Sequence, residues 1–249
     1  HYFQNLNTPQ QQAVFHVNGP VLVLAGAGSG KTTAMIHRIV QMIHFGDGWV
    51  QANASITKED AAYLKDYIAD KQPADLERLC SILAVQPIQP WHILAITFTN
   101  KAANELRSRL LQAIGEECAS MLHASTFHSA CVRILRRSIS KLGYDSNFTI
   151  YDTDDSQRLM KSCIADADVS EKQFPPRAVL TEISLAKDRM CSPEYFCIEA
   201  GSDYRKMVIG KLYKEYQNRL KSANALDFDD LIYKTVELLE SFPEELEYY

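Results

Sequence analysis

The sequence predicts an α/β fold with a parallel sheet, a surface insertion and an added all-helical segment. Two observations lead to this prediction. Short apolar segments alternate with helical patterns over the first 150 residues, and strand patterns disappear from about residue 152 to residue 223. Strands that alternate with helices are typical of a parallel sheet covered by helices. The chain of 249 residues, 46% hydrophobic and 23% charged, has an ordinary globular composition that excludes collagen-like and wholly disordered classes.

The first predicted elements surround a glycine-rich loop. Asn7 precedes Pro9, and a polar residue before a proline predicts the start of a helix that continues over residues 10–16. Residues 21–24 form a short, partly β-branched apolar run, which predicts a buried parallel strand. After the loop, residues 31–45 have a helical pattern.

Two further pairs of strand and helix follow. Residues 92–97 predict a second strand, and residues 102–114 predict a helix that Gly115 ends. Residues 122–125 predict a third strand, which leads into a helix from Phe127. This alternation supports the α/β assignment.

Two segments depart from the alternation. Residues 46–90 contain seven acidic and four basic residues, and we predict a largely helical surface insertion there. In the segment after residue 152, one apolar stripe at helical spacing predicts an amphipathic helix. The stripe consists of Val208, Leu212, Tyr216 and Leu220.

Charge is distributed unevenly along the chain. The net charge is −5, but residues 227–249 hold eight acidic residues against one lysine. Residues 101–141 hold seven basic residues against three acidic ones, which predicts a local basic surface. The six cysteines form no C-x-x-C pair, and no apolar run approaches the roughly 18 residues of a membrane span. We therefore expect reduced thiols, no membrane partner and a cytoplasmic location.

The glycine-rich loop carries the strongest chemical signal. It lies between an apolar run and a helical pattern, so its backbone N–H groups and the helix N-terminus can converge on phosphates. We expect Lys31 to contact the β and γ phosphates and the Thr32 hydroxyl to contact Mg²⁺. The residues predicted to hold the phosphates are Gly26, Ala27, Gly28, Ser29, Gly30, Lys31 and Thr32.

Gln10 is a candidate for recognition of the nucleotide base. A side-chain amide can donate one hydrogen bond and accept another, which matches the two edges that adenine presents. Taken alone, such a glutamine is more often a solvated side chain. The assignment of Gln10 therefore depends on the segments that accompany it.

Four segments together resemble the UvrD/Rep/PcrA-type DNA helicases. Besides the phosphate loop with the upstream LNTPQQQAV, they are ITFTNKAA at 96–103, STFHS at 125–129 and ALDFDDL at 225–231, in that family's order. The resemblance implies a RecA-like P-loop NTPase core with an inserted helical subdomain. It also implies ATP with Mg²⁺ as cofactors, and 3′ to 5′ movement along single-stranded DNA or from single/double-strand junctions, in repair or replication.

The resemblance also implies which loops contact DNA. Binding without sequence preference needs aromatic faces for bases and cations for the backbone, and both Thr-Phe segments lie where a strand leads into a helix. The implied contacts are Thr97, Phe98, Thr99, Asn100, Lys101, Thr126, Phe127 and His128. Arg133, Arg136 and Arg137 share a helical face, which fits either an extension of this track or a solvated surface.

Two departures from the family concern the nucleotide site. Thr33, which we assign to that site, stands where the family has an arginine that stacks on adenine. No apolar strand followed by Asp-Glu is present, and the family's layout places that pair just beyond Tyr249. The acids Asp227, Asp229 and Asp230 do not replace it, since the family carries them as a structural motif. We therefore expect a core that is incomplete at its C-terminus and a chain that does not hydrolyse ATP by itself.

The predicted organisation is a core over residues 1–150 that includes the insertion, a helical subdomain over 151–222 and a return segment over 223–249. Two alternative functions stay open. One is the motor subunit of a helicase–nuclease, and the other is a non-catalytic nucleic-acid-binding module switched by nucleotide. A small-molecule P-loop kinase would leave both Thr-Phe segments unexplained.

Overall fold

The computed structural model describes residues 3–71 and 75–249, so residues 72–74 of the predicted insertion lie outside the described residues. The α-helices are α1 Thr8–Phe15, α2 Lys31–His44, α3 Lys58–Ile68, α4 Leu76–Leu83, α5 Asn100–Met121, α6 Phe127–Ser138, α7 Thr153–Asp166, α8 Pro176–Asp188, α9 Pro193–Glu199, α10 Tyr204–Ser222, α11 Phe228–Ser241 and α12 Pro243–Tyr248. The strands are β1 Leu94–Thr97, β2 His123–Thr126, β3 Thr149–Ile150 and β4 Ala225–Leu226. Contacts divide the chain into two units, His1–Thr126 and Phe127–Tyr249.

Helix α1 begins as its sequence predicts and is fixed at both ends. Asn7 accepts a hydrogen bond from the Gln10 N–H while the Gln10 side chain accepts one from the Asn7 N–H, a reciprocal capping box. At the other end, the Arg38 guanidinium donates to the carbonyl oxygens of Ala13 (2.6 Å) and His16. These bonds satisfy terminal backbone groups that a short helix otherwise leaves to water.

The predicted strand over residues 21–24 is wrong. The segment forms no hydrogen-bonded strand, and Leu22 and Leu24 are 83% and 87% exposed. A strand requires a neighbour that accepts and donates its backbone hydrogen bonds. In the part of the chain that the structure describes, β1 and β2 pair only with each other and no strand pairs with residues 21–24.

The first unit has one parallel strand pair. In β1 and β2, Leu94 pairs with His123 and Thr97 with Thr126. Apolar residues of α2 and α5 pack against this strand pair and form one core with residues of both strands. Members of this core include Ile36, Ile39, Val40, Ala95, Leu106, Leu110 and Ala124. Helix α5 runs past its predicted end, but Gly115 (φ 78°, ψ 168°) interrupts it where the sequence predicts a stop.

The insertion contains less helix than predicted. In its described residues, 46–71 and 75–90, the helices α3 and α4 bury Tyr63, Leu79 and Ile82 against each other, and loops make up much of the rest. Gly46 forms an isolated bridge with Val85 that brings the two ends of the insertion together. The φ of Gly46 is 55°, and a Cβ there would lie 2.1 Å from the Val85 carbonyl oxygen, so only glycine fits.

The second unit is mainly helical. Helices α7 to α10 follow one another between Thr153 and Ser222, and β3 pairs in parallel with β4 where the chain leaves them. Leu212, Tyr216 and Leu220 of the predicted stripe are buried, and Val208 packs against the same core. The second unit already begins at Phe127, whereas the predicted core extends to residue 150; the predicted domain boundaries stay a prediction.

The α/β assignment with parallel strand pairing is confirmed, although the described strands form two separate pairs and not one continuous sheet. The RecA-like character of the core stays a prediction. All six cysteines are free thiols in the structure. None of the helices in residues 3–71 and 75–249 has both the length and the apolar character that a membrane span requires.

Candidate nucleotide and DNA sites

The phosphate loop has the backbone that its glycines allow. Gly28 and Gly30 have φ values of 75° and 82°, in the left-handed region where other residues are strained. A Cβ on Gly26 or Gly28 would meet no atom within 4 Å, so the loop borders open space. Gly30 directly precedes α2, whose first N–H groups therefore receive no bond from a capping side chain.

Lys31 lies against this loop. Its ammonium group donates to the carbonyl oxygens of Ala25 (2.9 Å) and Gly26 (2.6 Å). The Ser29 hydroxyl donates to the same Gly26 oxygen at 2.7 Å. The polar side chains of the loop thus bond to its own main chain, and Lys31 stands at the first position of α2.

Gln10 and the threonines complete this region. The Gln10 amide nitrogen donates to the Ser29 carbonyl oxygen at 3.1 Å, and its oxygen accepts from the Asn7 N–H at 3.0 Å. Both ends of the predicted adenine-binding amide therefore have protein partners, and one partner belongs to the phosphate loop. Thr32 and Thr33 are half-buried in the first turn of α2.

The first predicted DNA loop follows β1. Phe98 is 92% exposed, which excludes a core role for it in this unit. The Thr99 hydroxyl accepts from the Ala102 N–H at 3.2 Å and caps α5, so this loop has a fixed exit into the helix. Asn100 and Lys101 are exposed in the first turn of that helix.

The second predicted DNA segment crosses from one unit to the next. Thr126 ends β2 and is buried, whereas Phe127 begins α6 and is 44% exposed. The His128 ring contacts the Phe228 ring edge to face, with centroids 5.6 Å apart. Phe228, a half-exposed aromatic residue at the start of α11, was not predicted as a site residue, because the acids beside it indicate a structural motif.

Arg136 and Arg137 of α6 contact aromatic rings and a carbonyl oxygen of the second unit. The Arg136 guanidinium stacks on the Phe148 ring at 3.8 Å and donates to the Ser146 carbonyl oxygen. The Arg137 guanidinium lies 3.3 Å from the centroid of the Tyr248 ring. These contacts bind α6 to its own unit.

The acidic motif forms a buried ionic network. Lys187 of α8 donates to both carboxylate oxygens of Asp227 (2.9 and 2.8 Å) and lies 2.9 Å from an Asp230 oxygen. The Tyr216 hydroxyl also donates to Asp227, at 2.9 Å, and Asp227 caps α11 through the Asp230 N–H. The motif thus has a structural role, as predicted.

The pKa values of the two acids shift in opposite directions. Burial raises the pKa of Asp230 despite Lys187. For Asp227, burial is outweighed by the Lys187 charge and hydrogen bonds, so its pKa is lowered. Among the residues that the structure describes, no group of three or more His, Cys, Asp or Glu side chains could hold a metal ion.

A family model of known proteins matches most of the chain. The family model described as the UvrD/REP helicase N-terminal domain matches residues 6–53 and 76–249. The unmatched residues 54–75 fall inside the insertion.

Three relatives are similar over nearly the whole chain. The ATP-dependent DNA helicase PcrA of Staphylococcus epidermidis is 39% identical over 246 residues, which are 99% of this chain and 28% of the relative. PcrA of Bacillus subtilis is 39% identical over 98% of this chain and 27% of the relative. PcrA of Staphylococcus aureus is 37% identical over 98% of this chain and 28% of the relative. The chain thus spans little more than a quarter of the length of these relatives, and it belongs to the UvrD/REP helicase N-terminal domain family.

Proposed function

We propose that the chain is the ATP- and single-stranded-DNA-binding portion of an ATP-dependent DNA helicase. The phosphate loop carries this proposal: two glycines in left-handed geometry and the uncapped start of α2 border open space beside the Lys31 ammonium group. The names of the relatives, ATP-dependent DNA helicases, support it.

The residues present fit a nucleoside triphosphate. Backbone N–H groups at the loop and at the start of α2 would hold the phosphates. Lys31 would exchange its bonds to the Ala25 and Gly26 carbonyl oxygens for bonds to the β and γ phosphates, which are stronger acceptors because they are charged. Thr32 would hold Mg²⁺ together with the nucleotide, and the bound ion would neutralise charge on the phosphates. Gln10 and Thr33 would border the base.

The loop after β1 would contact single-stranded DNA. The exposed Phe98 ring offers a stacking face, and Asn100 and Lys101 offer a polar and a cationic group beside it. In the second unit, Phe127 and His128 would add aromatic contacts next to Phe228. Preference for single/double-strand junctions, 3′ to 5′ polarity and a role in repair or replication rest on the resemblance alone.

Nucleotide and DNA binding can be tested with a crossed pair of variants of the full-length protein. Lys31→Ala should weaken binding of a fluorescent ATP analogue with Mg²⁺ by about 10- to 100-fold, the effect of losing a charged hydrogen bond of about 1.5–3 kcal/mol. Single-strand binding without nucleotide should persist. Lys101→Ala should leave binding of the ATP analogue intact and weaken single-strand binding. It should also reduce the salt dependence of DNA binding. Equal nucleotide affinity for Lys31→Ala and the wild type would contradict the proposed phosphate site.

ATP hydrolysis should distinguish this chain from the full-length protein. The sequence has no apolar strand followed by Asp-Glu, so we expect the 249-residue chain alone to release no phosphate from ATP at a measurable rate. Steady turnover by this chain that Lys31→Ala abolishes would contradict this expectation.

A further inference from the structure

Arg38 of α2 holds the end of the helix that carries Gln10. Its guanidinium donates to the carbonyl oxygens of Ala13 (2.6 Å), His16 and Val17 (3.3 Å), in the last turn of α1 or just beyond it. Carbonyl groups at the end of a helix have no partner inside that helix and form the negative end of its dipole. A planar guanidinium with five N–H donors can bind several of them at once. Arg38 therefore caps α1 from a neighbouring helix.

The other end of α1 is attached to the phosphate loop. The Gln10 amide nitrogen donates to the Ser29 carbonyl oxygen at 3.1 Å, and a Cβ on Gly30 would lie 2.4 Å from that nitrogen, so the amide lies close against the loop. Val14 of α1 is buried in one apolar cluster with Ala34 of α2. Helix α1 is thus fixed on α2 near its start, by buried contacts, and at its end.

The Gln10 amide keeps bonding capacity for a ligand. Its NH₂ group has two donor positions and its oxygen has two acceptor positions. The Ser29 carbonyl oxygen uses one donor and the Asn7 N–H uses one acceptor position, so one of each remains. One donor and one acceptor are what a glutamine uses to bind N7 and the N6 amino group of adenine. The two protein bonds therefore orient this amide and leave it able to bind a base.

Helix α2 connects this amide to the phosphate site. Lys31, Ala34 and Arg38 follow one another at spacings of three and four residues, so they share one face of α2. Lys31 and Arg38 are about two turns apart, roughly 10 Å at 1.5 Å per residue. The same face thus carries the proposed phosphate contact at its start and the anchor of the Gln10 helix two turns later.

We propose that Arg38 is a positioning residue for base recognition, which sets α1 on α2 so that the Gln10 amide meets adenine while Lys31 meets the phosphates. The inference rests on the proposed function, since it requires that the site binds ATP. It deepens that function, because it assigns the preference for adenine to a residue that does not contact the nucleotide.

The test measures base preference in the full-length protein. Guanine presents a carbonyl oxygen where adenine presents an amino group, whereas the phosphates of ATP and GTP are identical. The wild type should bind the β,γ-imido analogue of ATP, with Mg²⁺, about fivefold or more tightly than that of GTP, the lower end of the discrimination by one bidentate amide–base pair.

Arg38→Lys keeps the charge but replaces the planar fork with a point donor. It should lower the ratio of the two affinities by about threefold or more, the effect of weakening one hydrogen bond, and leave binding of the GTP analogue unchanged. Arg38→Gln, a second variant with an uncharged planar amide, should also lower the ratio. The matched control is Arg109→Lys, since Arg109 lies on α5 of the same unit and pairs with Glu105 of its own helix; it should keep the wild-type ratio.

A double variant shows whether Arg38 acts through Gln10. Gln10→Ala should lower the same ratio, and addition of Arg38→Lys should lower it no further, because residues that act through one contact are not additive. A further fall in the double variant would show that Arg38 acts independently of Gln10 and would overturn the proposal.

Both analogues are measured on one preparation, so a loss of folded protein does not change the ratio of their dissociation constants. An unchanged ratio for Arg38→Lys and Arg38→Gln would overturn the proposal and leave Arg38 with a role in stability alone. Equal binding of both analogues by the wild type would also overturn it, because Gln10 would then read no base. Absence of binding of either analogue by the wild type would instead overturn the proposed function.

Discussion

The phosphate loop and the acidic motif are both short polar segments at the start of a helix, yet their surroundings differ. In the loop, Lys31 and Ser29 bond to exposed main-chain oxygens of their own segment, and Gly26 and Gly28 border open space. In the acidic motif, Asp230 is fully buried and bonded to side chains from α8 and α10. Partners from distant elements indicate a structural role, whereas open space beside local bonds indicates a ligand site.

The phenylalanines show the same contrast. Phe98 follows a strand and is 92% exposed, while Phe148 precedes a strand and is 1% exposed. Phe148 packs with Leu135, Ile139 and Leu226 in a core of the second unit. The same side chain therefore contributes to stability at one position and is available for recognition at the other.

The largest effect should follow from removing the cation of the acidic motif. Lys187→Met leaves Asp227 and Asp230 buried without their counter-charge, and breaking a buried ion pair typically costs about 3–5 kcal/mol. Urea denaturation should show this loss in the free energy of unfolding. The matched control is Lys214→Met, since Lys214 is exposed and its nitrogen lies 3.9 Å from a Glu194 oxygen; it should cost less than about 1 kcal/mol. Equal losses of unfolding free energy for Lys187→Met and Lys214→Met would show that the buried network is no more important for stability than an exposed ion pair.

A second prediction separates stability from binding. Phe98→Ala should leave the free energy of unfolding unchanged but remove about 1–3 kcal/mol of single-strand affinity, because a stacked base is lost. Phe148→Ala should instead lower the free energy of unfolding by about 3–5 kcal/mol, because it leaves a cavity in the core. Denaturation curves and fluorescence-anisotropy titrations of both variants check this pair. Unchanged DNA binding by Phe98→Ala at matched salt would exclude Phe98 from the DNA site.

The sequence predicted local features better than long-range ones. The cap at Asn7 and the break at Gly115 follow from short-range chemistry, and the structure confirms them. The structural role of Asp227 was implied by the family resemblance and not by local chemistry. The strand over residues 21–24 failed because apolar character does not reveal whether a pairing partner is present. Lys187 was not predicted, since it lies 40 positions from Asp227 and a lone lysine in a helix gives no sign of burial.

The candidate site divides in the same way. The glycine pattern predicted the loop, and its left-handed residues occur where glycine tolerates that backbone. The bond between Gln10 and the Ser29 carbonyl oxygen could not be predicted, since it joins residues from separate elements. Phe228 was overlooked for a related reason: the exposure of a helix-starting aromatic depends on which elements pack beside it.

A third prediction concerns the loop backbone. Gly30→Ala should destabilise the protein by about 1–2 kcal/mol, because a Cβ is strained at a φ of 82° and would lie 2.4 Å from the Gln10 amide nitrogen. Gly26→Ala meets no such obstacle and should leave the free energy of unfolding unchanged. Thermal melts of the two variants check the difference. Similar melting temperatures for Gly30→Ala and Gly26→Ala would show that the left-handed backbone at position 30 does not require glycine.

The smallest effect, and the one that compares partly exposed ion pairs with the buried network around Lys187, concerns Lys141. Its ammonium group lies 2.6 Å from a Glu244 oxygen and 2.8 Å from a Glu245 oxygen, and hydrogen bonds from Lys141 lower the pKa of both carboxyls. A carboxyl whose pKa is lower in the folded state stabilises that state above its unfolded pKa of about 4.3, and this contribution disappears as the pH falls through the folded pKa.

Lys141→Met should therefore reduce the free energy of unfolding at pH 7 by a small amount, and the difference from the wild type should vanish in acid. Urea denaturation at pH 7 and at successively lower pH measures this convergence, with the exposed Lys206→Met as control. A difference that persists unchanged in acid would show that Lys141 acts through the Phe242 ring, whose centroid lies 5.3 Å from its ammonium nitrogen, and not through the two carboxylates. In that case solvent exposure alone would not separate the weak ion pairs of this chain from the buried network around Lys187.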